Sequence, residues 1–169
     1  SSCASYAPEN CTLSAAEARA RMLTEVVPIA GREFVPLRSA LGRILAADIV
    51  APHDVPAHDN SAMDGYAVSF DSLSTESETR LNVVGTAFAG SAFSGLVGKG
   101  QAVRIMTGAV LPAGADTVVV QEATRVEGGA VFVPVGQKQG QNTRRAGEDL
   151  ARGAVALAAG KRVGPAELG

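Results

Sequence analysis

The sequence is poor in the residues that most often mark a ligand site. In 169 residues there is no tryptophan, and there are two tyrosines and two histidines. His53 and His58 have no third ligand at close spacing, which argues against a histidine-built metal centre. The only cysteines, Cys3 and Cys11, form no Cys-x-x-Cys pair, so they read as free thiols of a cytosolic protein rather than a zinc or disulfide framework. Charge of either sign is not in excess: 15 Lys and Arg face 17 Asp and Glu, a net charge of −2, and the basic residues are scattered. No basic stripe marks a nucleic-acid partner. The longest apolar run, Ala154 to Ala159, is far short of the roughly 20 residues that cross a bilayer, so no membrane insertion is expected. The N-terminus shows neither a basic n-region nor an apolar h-region, and a cytoplasmic location is expected. No Gly-x-x-x-x-Gly-Lys-Ser/Thr string supports a Walker-type nucleotide site.

What is present is apolar and glycine-rich. Hydrophobic residues make up 46% and glycines number 19, the composition of a globular, loop-rich chain. A chain of this length can bury about 70% of its unfolded surface. Residues 1–12 read as a flexible tail. Ser14 and Glu17 form a capping box, and Ala18, Met22 and Val26 with Leu23 and Val27 give one apolar helical face that Pro28 ends. Met22 is thereby expected in the core. Arg32 to Val35 is a short strand candidate. A second helix is expected after Pro36, with a stripe of Leu37, Leu41, Ile44 and Leu45, weakened at Gly42 by about 1 kcal/mol. Ile49 to Ala51 reads as extended.

Beyond Tyr66 the period shifts to that of strands. Leu81–Phe88, Ala102–Met106 and Asp116–Val120 are strand-like, and Thr124–Val133 reads as a hairpin turning near Gly128-Gly129. No helix of ordinary length fits between them, which argues for antiparallel pairing. Residues 71–80 read as an exposed loop or short helix, and 89–95 as a loop. Ala154–Leu157 is a further strand or turn. Pro165 stands at the first position of a helix that is only starting, so the chain is expected to continue into a longer protein. The fold class expected is mainly β with two N-terminal helices.

Three stretches carry the candidate chemistry. In Asp59-Asn60-Ser61-Ala62-Met63-Asp64-Gly65-Tyr66-Ala67, two acids lie five apart among turn-forming residues rich in oxygen donors. Asp59 and Asp64 could hold a magnesium ion, directly or through water; the alternative is that Asp64 caps the turn at Gly65. Thr107-Gly108 follows a strand end, where a hydroxyl and backbone N–H groups could meet an anion; the alternative is a threonine turn bond. Arg104 could pair with Glu122 or Asp116. Arg144-Arg145 stands beside Glu148-Asp149, an anion-binding pair of guanidinium groups or an inter-segment ion-pair network.

These stretches together resemble a known family. Asp59–Ala67, the segment Pro36–Ala46, Arg104-Ile105-Met106-Thr107-Gly108-Ala109 with Leu111–Asp116, Gln121-Glu122 and Asn142–Asp149 are similar, in order, to motifs of the MoeA/gephyrin E-domain family of molybdopterin molybdenumtransferases. The resemblance covers nearly the whole chain. It implies coiled, irregular antiparallel sheets. It also implies a β module over 56–139 inserted into a helix and strand module of 13–55 plus 140–169, with the pterin-binding and C-terminal domains absent here. It implies insertion of molybdate into adenylylated molybdopterin by a magnesium-dependent homodimer, with the active site formed in cis or across chains. Asp59 and Thr107 would then be catalytic, Ser61, Gly108, Arg144 and Arg145 would bind the substrate, and Asp59 and Asp64 would hold the metal. Since splitting a pyrophosphate calls for charge neutralisation, the metal fits that chemistry. A gephyrin-like adaptor binding a membrane or cell-division partner is the alternative the same resemblance leaves open.

Overall fold

A computed structural model describes residues 13–169. The tail, with Cys3 and Cys11, lies outside the described residues. Ten strands follow one α-helix: α1 (Ala15–Glu25), β1 (Ile49–Val50), β2 (Asn60–Ser61), β3 (Gly65–Val68), β4 (Thr79–Ala87), β5 (Gln101–Ile105), β6 (Thr117–Val120), β7 (Arg125–Glu127), β8 (Ala130–Val133), β9 (Thr143–Arg144) and β10 (Val155–Leu157), and α2 (Pro165–Leu168) comes last. The fold is thus mainly β.

Six strands form one mixed sheet in the order β6-β3-β5-β4-β8-β7. Its alternation explains the core. Tyr66 and Val68 pack on one face with Leu81, Ala102, Val119 and Val131, while Ala67 points to the other with Ala87, Val103, Ile105 and Val118. Both faces are therefore buried, which is why β3 and, after Thr117, β6 run apolar rather than alternating. Gly65 opens β3 where two backbones nearly touch: a Cβ there would stand 2.1 Å from the Val119 carbonyl oxygen. The hairpin β7–β8 turns at Gly128-Gly129 as the sequence predicts.

Outside this sheet, the stretch before the signature loop pairs with the end of the chain. β1 runs antiparallel to β10, with Ile49 opposite Leu157, and isolated bridges join Ile44 to Arg162 and Val55 to Leu150. The short strands β2 and β9 form their own pair.

Several expectations are corrected. The capping box at Ser14 forms, but no residue of α1 is buried and Met22 is 68% exposed. Periodicity defines an apolar face; it does not say what covers it. The second helix shrinks to a single 3-10 turn, Leu37–Ser39, because Gly42 takes φ +80°, a left-handed geometry incompatible with continuing the helix. Arg32–Val35 forms no strand. The pairing of β4 with β5 is parallel, not antiparallel. The connection over 88–100 is long enough, at about a dozen residues, to cross over without a helix.

Candidate functional site

The three motifs, far apart in sequence, meet around β2. β2 holds them together. On one side Asn60 pairs with Arg144 and Ser61 with Thr143. On the other, the backbone oxygen of Asp59 accepts from Leu111 N–H at 2.9 Å, Ser61 N–H donates to the Ala109 oxygen at 3.0 Å, and Gly108 N–H donates to the Ser61 oxygen at 2.8 Å. The signature loop is thus clamped between the turn at 106–111 and the turn at 143–146.

Each acid of the signature is fixed by a different partner. Asp59 accepts from Ala146 N–H at Oδ1 (2.8 Å) and from Arg145 Nη1 at Oδ2 (2.7 Å). These donors hold its carboxyl below the usual carboxylate range, the Ala146 N–H most strongly and then Arg145. Asp64 accepts from Thr107 twice at Oδ1, from the backbone N–H and from the hydroxyl, both at 2.7 Å. Those two bonds, backbone first, lower its carboxyl as well. Asp64 is therefore bonded to Thr107 and does not cap its own turn. The register accounts for this contact. Gly65 lies opposite Ile105 in the β3–β5 ladder, so Asp64, one residue earlier, falls against the turn that begins at Met106.

The other named residues are placed as follows. Ser61 is buried, and its hydroxyl donates to the Met63 oxygen and accepts from Met63 N–H at 3.2 Å, a local turn bond. The backbone N–H groups of Thr107, Gly108 and Ala109 are all used, by Asp64, Ser61 and Met106 respectively. The strand end consequently has no spare N–H cradle for an anion there, and the Thr107 oxygen is what it keeps as an acceptor. Arg144 pairs with Asp149 and, at 3.6 Å, with Glu148. Asp149 raises its already high pKa. Arg145 pairs with Asp59. Arg145 thus makes an inter-segment ion pair, whereas the partners of Arg144 lie within its own turn.

Arg104 makes no ion pair with Glu122 or Asp116. It donates to the Gly65 oxygen at 2.9 Å and to the Gln121 side chain, and its guanidinium lies 5.2 Å from the centre of the Tyr66 ring. Asp116 instead accepts from Phe70 N–H at 2.8 Å and from the side chains of Thr117 and Gln139. Among the described residues no three His, Cys, Asp or Glu come together as a metal cage. Both oxygens of Asp59 already accept an N–H, one from Ala146 and one from Arg145. Asp64 keeps Oδ2 without a protein donor among the described residues, a hard oxygen open to a cation.

Three comparisons bear on this surface. The family model described as MoeA N-terminal region (domain I and II) matches residues 13–169. The molybdopterin molybdenumtransferase of Haemophilus influenzae is 41% identical over 153 residues, which is 90% of this chain and 37% of that protein. The Bacillus subtilis molybdopterin molybdenumtransferase is 42% identical over 142 residues, covering 79% of this chain and 33% of its own length. A gephyrin of Dictyostelium discoideum is 44% identical, over 40% of this chain. Among solved structures, a crystal structure of the molybdopterin biosynthesis moeA protein of Pyrococcus horikoshii OT3 superposes with a TM-score of 0.75 at 37% identity, covering 80% of this chain and 37% of that one. The chain thus spans about a third of the length of the two molybdenumtransferases and of the Pyrococcus horikoshii protein, and a tenth of the gephyrin. Among the described residues, no helix is long and apolar enough to cross a membrane.

Proposed function

The chain belongs to the MoeA N-terminal family, and from that premise we propose that it forms one wall of the active site of a molybdopterin molybdenumtransferase. The reaction is insertion of molybdate into adenylylated molybdopterin. The observation that carries the reading is the convergence of the three motifs around β2, where one carboxylate is oriented by Arg145 and the other by Thr107. Asp59 and Thr107 are the groups proposed to act on the reacting oxygens. Ser61 and Gly108 shape the loop that presents them, one through its turn bond and the other through its contact with the Ser61 oxygen.

The substrates are anions, molybdate and a pyrophosphate ester, and carboxylates alone repel them. Magnesium is proposed to supply the missing charge neutralisation. A hydrated ion fits Asp64 through Oδ2, because magnesium commonly takes one or two carboxylates and completes its shell with water and substrate phosphate. Asp64 in turn holds Thr107 in place through Oδ1. The relatives that match most of the chain are transferases, whereas the gephyrin match is partial, so the adaptor reading has less support.

The test is direct. Full-length protein containing this region is given adenylylated molybdopterin, molybdate and magnesium, and the formation of molybdenum cofactor with release of AMP is followed. Molybdate-dependent turnover is the expected result; none in a folded, full-length preparation overturns the proposal.

A further inference from the structure

We propose that Arg145 is a positioning residue for Asp59, fixing the orientation of that carboxylate and cancelling its charge toward an incoming oxyanion. The inference rests on the transferase reading. Arg145 and Asp59 are 86 positions apart, yet they bond at 2.7 Å. The turn that carries Arg145 is independently locked. Its N–H donates to Glu148 Oε2 at 2.9 Å, Glu148 N–H returns a bond to the Arg145 oxygen at 3.1 Å, and Gly147 N–H donates to the Pro56 oxygen at 3.0 Å. The Asp59 backbone is pinned by Leu111. Two rigid supports therefore meet at Asp59, where Arg145 supplies the side-chain contact beside the Ala146 N–H and the β2–β9 pairing.

The Ala146 N–H fixes one carboxylate oxygen and the Arg145 guanidinium fixes the other. With both in place the plane of the carboxylate is set; with only Ala146 it can swivel about one bond. Arg144 does not substitute, because Asp149 and Glu148 hold it. The Asp59 and Arg145 side chains are 37% and 65% exposed, and ion pairs that open to solvent contribute little to stability. The pair is thus of small use as a staple. Its consequence is local: an unpaired Asp59 would repel molybdate and pyrophosphate, whereas the paired carboxylate presents an oriented oxygen with its charge balanced.

The experiment uses the full-length protein with Arg145→Gln, Arg145→Lys, Asp59→Asn and the Arg145→Gln/Asp59→Asn double variant. Melting temperature, kcat and KM for molybdate are measured, and the Arg145→Gln variant is crystallised. Arg145→Gln should lower kcat about tenfold and raise KM for molybdate with little change in melting temperature. Arg145→Lys should restore KM more than kcat, since it returns the charge without the guanidinium geometry. The double variant should be no slower than Asp59→Asn alone, as expected when one residue acts through the other. In the Arg145→Gln crystal the Asp59 carboxylate should leave its present orientation. Multiplying effects in the double variant, or an unmoved Asp59 carboxylate, would overturn the proposal. If the wild-type protein itself fails to insert molybdate, the transferase reading falls, and the Asp59 carboxylate in the Arg145→Gln crystal still decides the positioning.

Discussion

Replacing Gly65 by alanine tests how closely the signature loop is built against the sheet. Gly65 is buried at the start of β3, opposite Val120 on β6 and Ile105 on β5. A Cβ there would lie 2.1 Å from the Val119 oxygen, 2.9 Å from its carbonyl carbon and 3.1 Å from Val120 Cα, all backbone atoms. No side chain can swing aside. To reach ordinary contact near 3.4 Å, the two strands must separate by about 1.3 Å. Overpacking of this kind costs about 1–3 kcal/mol, and strained ladder bonds between β3 and β6 add about 1 kcal/mol each. The expected loss is about 2–4 kcal/mol, or a fall in melting temperature of about 5–15 °C. Gly31→Ala is the control, because its Cβ would meet nothing within 4 Å and its backbone is not left-handed; it should stay within about 0.5 kcal/mol of wild type. Urea and thermal denaturation of the three proteins give the comparison. Equal stability of Gly65→Ala and Gly31→Ala would refute the close approach of β3 and β6.

Further outcomes follow from the same geometry. Burial opposes ionisation of Asp116, but donation from Phe70 N–H, Gln139 and Thr117 outweighs it, so its folded pKa is lowered. The stability it contributes is therefore complete above the unfolded value of about 3.9 and fades as pH falls through the folded value. Asp116→Asn should cost about 1–2 kcal/mol at neutral pH. That gap should narrow as pH falls below about 3.9 toward the lowered folded value; a gap that does not narrow with falling pH contradicts the assignment. The 169 residues alone should unfold cooperatively but insert no molybdate, and turnover by this chain by itself would show that the site is complete without other domains. A homodimer with sites built across chains predicts recovered activity when Asp59→Asn protein is mixed with a variant disabled in the downstream pterin domain; inactivity in demonstrably mixed dimers points to a site within one chain.

The elements that local chemistry defines were legible in the sequence. The capping box at Ser14 and Glu17, the hairpin at Gly128-Gly129 and the strands β4, β5 and β6 all depend on neighbours within a few residues. What was not legible depends on partners distant in the chain. β3 carries the end of the signature but lacks polar and apolar alternation, because both of its faces are buried, so its period gave no strand signal. Met22 shows the converse: its helical period is plain, and it is nonetheless exposed. The candidate site divides in the same way. Asp59, Asp64 and Thr107 stand out by residue type, but the bond of Asp64 to Thr107 needs the β3–β5 register, and the bond of Asp59 to Arg145 needs the pairing of β2 with β9. Charge and strand alternation suggest a carboxylate partner for Arg104, while its place on β5 sets it over Tyr66 and against Gly65 and Gln121.

In the proposed reading this chain contributes reacting groups to molybdate insertion and not merely a scaffold. The measurement that tests it most directly is the turnover of full-length Asp59→Asn and Thr107→Ala variants, expressed per folded molecule beside their melting temperatures. The account predicts at least a tenfold fall in turnover for each, equivalent to about 1.4 kcal/mol of transition-state stabilisation, with melting temperatures close to wild type. Wild-type turnover per folded molecule, accompanied by lowered melting temperatures, would make both residues structural members of their turns and contradict the claim.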